Sequence, residues 1–147
     1  MKKLMFLILS GFLFMACEKD EILPESEMPT AVKEYVSTHF PDHGIIQAIK
    51  HTDGLELSYH VTLQDGFYLE FNRDEEVVEI SGITKLPDTV IPAKILDFVQ
   101  TNYSQNFIVQ WEIDDSFEFD GKKQEVELDN SLTLEFNESG DFIRIDD

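Results

Sequence analysis

Leu55-Glu56-Leu57-Ser58-Tyr59-His60-Val61-Thr62-Leu63 alternates apolar and polar residues over nine positions. A side-chain period of two sends the leucines, Tyr59 and Val61 to one side and the polar residues to the other, which is the pattern of a strand with one buried face. Upstream the period is different. In Met28-Pro29-Thr30-Ala31-Val32-Lys33-Glu34-Tyr35-Val36-Ser37-Thr38-His39-Phe40-Pro41, the residues Val32, Tyr35, Val36 and Phe40 recur at helical spacing. Pro29 stands at the first helical position, where a missing N–H does no harm, and Pro41 ends the run.

The same two patterns return further on. Ile91-Pro92-Ala93-Lys94-Ile95-Leu96-Asp97-Phe98-Val99-Gln100-Thr101-Asn102-Tyr103-Ser104 aligns with the helical stretch. Val61 to Asn72 aligns with Val126 to Asn137, and Val77-Val78-Glu79-Ile80 with Phe142-Ile143-Arg144-Ile145. Turn residues punctuate the strands at Asp53-Gly54, Asp65-Gly66, Asp120-Gly121, Asn130-Ser131 and Ser139-Gly140. The expected fold is α+β: two tandem repeats of one helix plus four antiparallel strands, with the helices packed on one face of a shared curved antiparallel sheet. The expected boundaries are 28–84 and 85–147, because one copy alone would have a marginal core.

Outward from this body, the N-terminus reads as an export signal. Lys2 and Lys3 precede an apolar run from Leu4 to Met15, and Ala16 sets a small residue before Cys17. The run is short for a membrane span. Phe14-Met15-Ala16-Cys17 resembles a bacterial lipobox, which implies cleavage after residue 16 and a diacylglycerol on Cys17. Cys17 is the single cysteine. Once it is acylated no thiol remains, so disulfides and cysteine–metal sites are excluded for the monomer. Residues 17–27 read as an acidic tether. Within them Lys19-Asp20-Glu21 resembles the signal that sends Bacteroidota lipoproteins to the outer face of the outer membrane. The expected location is the cell surface, with the periplasmic face as the alternative.

The whole chain has 147 residues and a formal charge of −19. Loss of Lys2 and Lys3 with the signal leaves nine basic residues against thirty acidic ones, or −21. Such a surface repels nucleic acid and anionic headgroups and attracts cationic partners or metal ions.

The Met-Pro and Ile-Pro helix openings, the Leu-Glu-Phe-Asn strands and their order resemble the PepSY-like, beta-lactamase-inhibitor-like family of exported bacterial proteins. The resemblance spans residues 28–146. It implies helix-plus-sheet repeats without an active site, and a protein-binding or inhibitory role.

The residues themselves offer little chemistry. His39 and His43 have the i, i+4 spacing of a metal pair, but Pro41 lies between them and breaks the helix. Ser116, Glu118, Asp120, Gly121 and Glu127 can be laid on an EF-hand loop, yet the first ligand would be serine and the flanks read as strands, so Asp120-Gly121 reads better as a hairpin turn. No nucleophile elbow, phosphate loop or His-Glu-x-x-His occurs. The expectation is therefore no enzyme, no cofactor and no bound metal. The leading reading is a lipid-anchored binding protein, an inhibitor or an accessory subunit. The alternatives are a structural or chaperone-like envelope component, or weak divalent-metal binding by the acidic surface. If the helices cover one sheet face, the other carries Glu56, Ser58, His60, Thr62, Tyr68, Glu70, Val77 and Glu79, then Glu125, Glu127, Thr133, Glu135, Phe142 and Arg144. On that face Tyr68, Val77 and Phe142 would be apolar anchors among carboxylates for a partner with a cationic patch.

Overall fold

The computed structural model describes residues 18–114 and 123–146. Two ten-residue helices, α1 (Thr30–His39) and α2 (Ala93–Asn102), accompany nine strands among the described residues. The strands are β1 (Glu18–Ile22), β2 (Ile45–Asp53), β3 (Glu56–Leu63), β4 (Tyr68–Phe71), β5 (Val77–Ser81), β6 (Ile108–Asp114), β7 (Lys123–Leu128), β8 (Thr133–Asn137) and β9 (Phe142–Asp146). They form one sheet in strict chain order, every neighbouring pair antiparallel.

This topology corrects the architecture expected above. The chain is a single nine-stranded antiparallel sheet with two short helices, not two repeats of a helix plus four strands. The physical reason lies at the presumed boundary. β5 pairs with β6 through Glu79–Glu112, Ile80–Trp111 and Ser81–Gln110. The connecting chain is also bound to β6, with Gly82 N–H donating to the Val109 carbonyl and Leu86 N–H to the Ile108 carbonyl, both at 2.9 Å. The hydrogen-bond ladder therefore runs through without a seam. A second correction concerns the tether. Glu18–Ile22 is strand β1, paired with β2 from Glu18–Asp53 to Ile22–Ile49, although all five of its residues are exposed.

Pro29 and Pro92 stand as N-caps, one residue before their helices, and not at the first helical position that the sequence suggests. The carbonyls of Pro29 and Pro92 accept the first helical bonds, from Lys33 N–H at 3.2 Å and Leu96 N–H at 3.0 Å. α1 buries Val32 and Val36, and α2 buries Ile95 and Val99. Against them lies the apolar side of the sheet, including Val61, Leu63, Leu69, Phe71, Val126, Leu134 and Phe136, all fully buried. Tyr35 meets Phe71 edge-on at 5.5 Å, and Phe98 meets Phe136 at 5.4 Å. Each such aromatic or branched side chain contributes roughly 1.5–3 kcal/mol by leaving water. A polar side chain on this side, buried Gln124, is satisfied: Trp111 Nε1 donates to Gln124 Oε1 at 3.1 Å, and the Gln124 amide donates to the carbonyls of Asn137 and Glu138.

Two β-bulges decide which side chains reach the opposite, open face. The register slips between Glu70 and Phe71 on β4 and between Glu135 and Phe136 on β8. Phe71 consequently pairs with Val77, and Phe136 with Phe142.

Candidate functional site

No helix among the described residues lies over the open face, and its register assembles a row that the linear sequence conceals. Glu70 on β4 pairs with Glu79 on β5, Glu79 with Glu112 on β6, Glu112 with Glu125 on β7, and Glu125 with Glu135 on β8. Five glutamates thus stand side by side across five strands, about 4.8 Å apart from strand to strand. A basic residue stands at each end: His60 pairs with Glu70, and Arg144 with Glu135. Like charges directly opposite one another destabilise a sheet, so folding alone does not favour this arrangement.

The electrostatics bear this out. Burial, followed by the charges of Glu112 and Glu70, raises the Glu79 carboxyl above its ordinary 4.5. Burial also pushes the Tyr68 hydroxyl up, with further contributions from Glu70 and Glu79. Tyr68 donates to Glu70 Oε2 at 3.4 Å, and the Gln110 amide donates to Glu112 at 2.8 Å and Glu79 at 3.5 Å. Glu135 is 3 % exposed. Arg144 Nη2 binds its Oε1 at 2.8 Å, while its buried Oε2 has no hydrogen-bond partner. Next to the row, Gln110, Glu112, Glu125, Glu127 and Thr133 line a shallow hollow of about 80 Å³.

At the β1 end lies a wider polar depression of about 650 Å³ that includes His51, Ser58, His60 and Glu70. His51 Nδ1 donates to Asp20 Oδ1 at 2.6 Å, and its ring stacks on His60 at 5.3 Å between centroids. Ser58 Oγ is 2.9 Å from His60 Nε2, but Glu70 approaches that same nitrogen at 3.6 Å. A nucleophilic relay needs the serine and the orienting carboxylate on different ring nitrogens. This pair does not form one.

The expected site residues divide as follows. Tyr68, Glu70, Glu79, Glu127, Thr133, Glu135 and Arg144 share the open face. Val77 and Phe142 do not. Val77 packs against the core, and Phe142 stacks on Phe98 of α2 at 4.7 Å with an interplanar angle of 14°. The bulges turn both to the helix side, and Val78 instead borders the open-face depression. Lys19 and Glu21 form a loose ion pair on β1 at 3.6 Å, and Asp20 reaches across to His51. Cys17 and residues 115–122, with the acidic turn, lie outside the described residues. His39 sits 3.0 Å from Thr89, and His43 binds Asp65 at 3.0 Å, so they serve different contacts. Among the described residues no three histidine, cysteine or acidic side chains converge as metal ligands. Sequence reasoning missed Glu112, Gln110 and His51. The alternation Gln110-Trp111-Glu112-Ile113 signals that Gln110 and Glu112 face away from the core.

The beta-lactamase-inhibitor-like, PepSY-like family matches residues 12–56 and 57–144. The chain belongs to this family. No curated protein matches it. Solved structures that share its fold include the following three. One is a periplasmic protein of Bacteroides thetaiotaomicron proposed to be calcium-regulated, with 29% identity and a TM-score of 0.79, covering 87% of this chain and 97% of that one. The second is a proposed periplasmic protein of Bacteroides vulgatus from the DUF2874 family, with 27% identity and a TM-score of 0.76, over 87% and 97%. The third, proposed to be periplasmic and of unknown function, is also from Bacteroides vulgatus, with 29% identity and a TM-score of 0.75, over 88% and 100%. No catalytic family is indicated. Among the described residues no helix is long and apolar enough to cross a membrane.

Proposed function

We propose that this chain is a lipid-anchored, non-catalytic protein of the cell envelope that binds another protein through its open sheet face. The row of five paired glutamates carries the reading. The row holds repulsion at its centre, where the Glu112 and Glu70 charges act on Glu79, and a cationic patch on a partner relieves it. The charges steer the encounter, and half-buried Tyr68 supplies an aromatic anchor. The test is site-specific photo-crosslinking in intact envelopes, with the reactive group at Tyr68 or Glu112 and, as the control, at Lys33 on α1. One partner captured from the open face only, and lost when Glu79, Glu112 and Glu125 become glutamine, supports the proposal. Capture from the helix side alone overturns it. The anchoring part has its own test: Cys17→Ser should leave the membrane fraction as a folded protein, and retention there would refute it. The outer-membrane surface is the proposed location, carried by Lys19-Asp20-Glu21 after the lipid site, and protease accessibility on whole cells tests it.

A second reading has one observation behind it. A relative with 29% identity is proposed to be calcium-regulated, and every side chain lining the small hollow beside the row bears oxygen, the donor that calcium prefers. Calcium, unlike potassium at equal ionic strength, would then raise the melting temperature, and Glu112→Gln with Glu127→Gln would abolish the effect.

A further inference from the structure

Two imidazoles border the wide depression at the β1 end of the open face. His51 on β2 stands opposite Ser58 on β3, and His60 lies two positions further along β3, so the rings are diagonal neighbours on one side of the sheet. Each ring is held at one nitrogen. His51 Nδ1 bonds Asp20 Oδ1 at 2.6 Å, and His60 Nε2 has Ser58 Oγ at 2.9 Å and Glu70 Oε1 at 3.6 Å. Among the described residues no hydrogen-bond partner reaches His51 Nε2 or His60 Nδ1. An imidazole held by a carboxylate at one nitrogen and bare at the other is the form that binds a metal ion: the carboxylate fixes the ring and makes the bare nitrogen a better donor. That form occurs here twice, with ring centres 5.3 Å apart. Two imidazoles on one tetrahedral zinc ion, with zinc–nitrogen bonds of about 2 Å, have their centres about 5 Å apart.

We propose that His51 and His60 together bind a divalent transition-metal ion of the zinc type at this end of the sheet. Nitrogen donors select zinc, copper or nickel over calcium and magnesium, which prefer oxygen. Binding turns the rings from their stacked pose so that both bare nitrogens meet the ion, while the spacing of the rings need not change. The imidazoles fill two positions of the shell. Among the described residues no set of three histidine, cysteine or acidic ligands converges, so water completes it and the site is weak and exchangeable. The depression, of about 650 Å³, has room for those waters, and Glu56 and Glu70 on its wall can accept their hydrogen bonds. The chain's formal charge of −19 draws a cation toward it.

Titration calorimetry of zinc chloride into Cys17→Ser protein, which lacks the only cysteine, tests this independently of the proposed function. The measurement is made at about pH 8, where ordinary imidazoles are neutral. The expected result is one zinc ion per chain. The imidazole proton resonances of His51 and His60 should shift together as zinc is added, and those of His39 and His43 should stay in place. His51→Gln and His60→Gln should each weaken binding by about tenfold or more, and His39→Gln with His43→Gln should not. His60→Gln leaves the Asp20–His51 bond of β1 untouched, and an unchanged circular dichroism spectrum separates lost binding from lost fold. Excess calcium should not displace the zinc. Absence of binding up to millimolar zinc overturns the proposal. So does zinc binding that survives both single variants or that calcium displaces, which would place the ion on the carboxylates.

Discussion

Leu69-Glu70-Phe71-Asn72 on β4 and Leu134-Glu135-Phe136-Asn137 on β8 are the same four-letter phrase. In both, leucine and phenylalanine are buried, glutamate faces the open side, and asparagine closes the turn. Asn72 Oδ1 accepts from Asp74 and Glu76, and Asn137 Oδ1 accepts from Asp141. The two glutamates have different company. Glu70, its side chain 29% exposed, finds its cation on the preceding strand, His60 at 3.6 Å. Glu135, its side chain 4% exposed, finds its cation on the following strand, Arg144 at 2.8 Å. One end of the carboxylate row is therefore deeply seated on a guanidinium at close range, and the other is more open to water beside a looser imidazole contact.

The largest effect should follow from unpairing the deeply seated end. Arg144→Met leaves the Glu135 carboxylate buried without its cation, and should cost about 2–4 kcal/mol in urea unfolding. Glu135→Leu in the same background should restore much of that loss. His60→Gln should cost under about 1 kcal/mol, because its carboxylate partner keeps access to water. Equal losses at the two ends would erase the distinction.

The bulge positions come next. Phe142 lies between Phe98 and Phe136, with ring centroids 4.7 and 5.8 Å away, while Val77 holds the matching position in the first half. Phe142→Ala should cost about 2 kcal/mol and Val77→Ala about 1 kcal/mol, both as lost packing under the helices. If Phe142→Ala leaves the melt unchanged, its ring is not seated on α2.

These two residues also mark how far the sequence could be read. The alternation from Leu55 to Leu63 and the helical spacing of Val32, Tyr35 and Val36 are local, and β3 and α1 form where those patterns stand. A bulge is different. It inserts one residue relative to a partner strand, so the face of Val77 depends on pairing with β4, about which Val77-Val78-Glu79-Ile80 carries no local sign. β1 was hidden for a related reason. Its residues bury nothing, and its extended form comes from the ladder with β2 instead of from apolar alternation. The glutamate row was legible one member at a time, but its continuity appears only when five strands are set in register.

A smaller effect belongs to the centre of the row. The Glu79 carboxyl is raised, so the folded protein holds that proton more tightly than the unfolded chain. The associated stability is present below the ordinary 4.5 and is lost as pH rises through the folded value. At neutral pH the ionised Glu79 is thus a liability. Glu79→Gln should stabilise the protein there by on the order of 0.5 kcal/mol, the scale of one like-charge cross-strand pair. The advantage should shrink as pH falls through the raised folded value, where Glu79 itself becomes protonated. A constant difference across that range would mean that the substitution acts through shape and not through charge.

The smallest effect lies beyond His60, where His51 stacks on its ring and holds β1 through Asp20. The bond to Asp20 is the main cause that raises the His51 pKa above 6.5. Desolvation opposes it, and the charges of Asp20, Glu18 and Asp53 add to it. The sign follows from linkage. Protonated His51 strengthens the β1–β2 contact fully below 6.5, and that contribution fades as pH rises through the raised value. β1 is exposed along its whole length, so its loosening should leave the global melt unmoved. The imidazole proton resonances of His51 should titrate above 6.5, and Asp20→Asn should bring the midpoint back down. Amide protection in residues 18–22, corrected for intrinsic exchange, should decline across the same interval in the parent and be low throughout in the variant. An unshifted titration in Asp20→Asn would show that the neighbouring charges, and not this one hydrogen bond, set the His51 equilibrium.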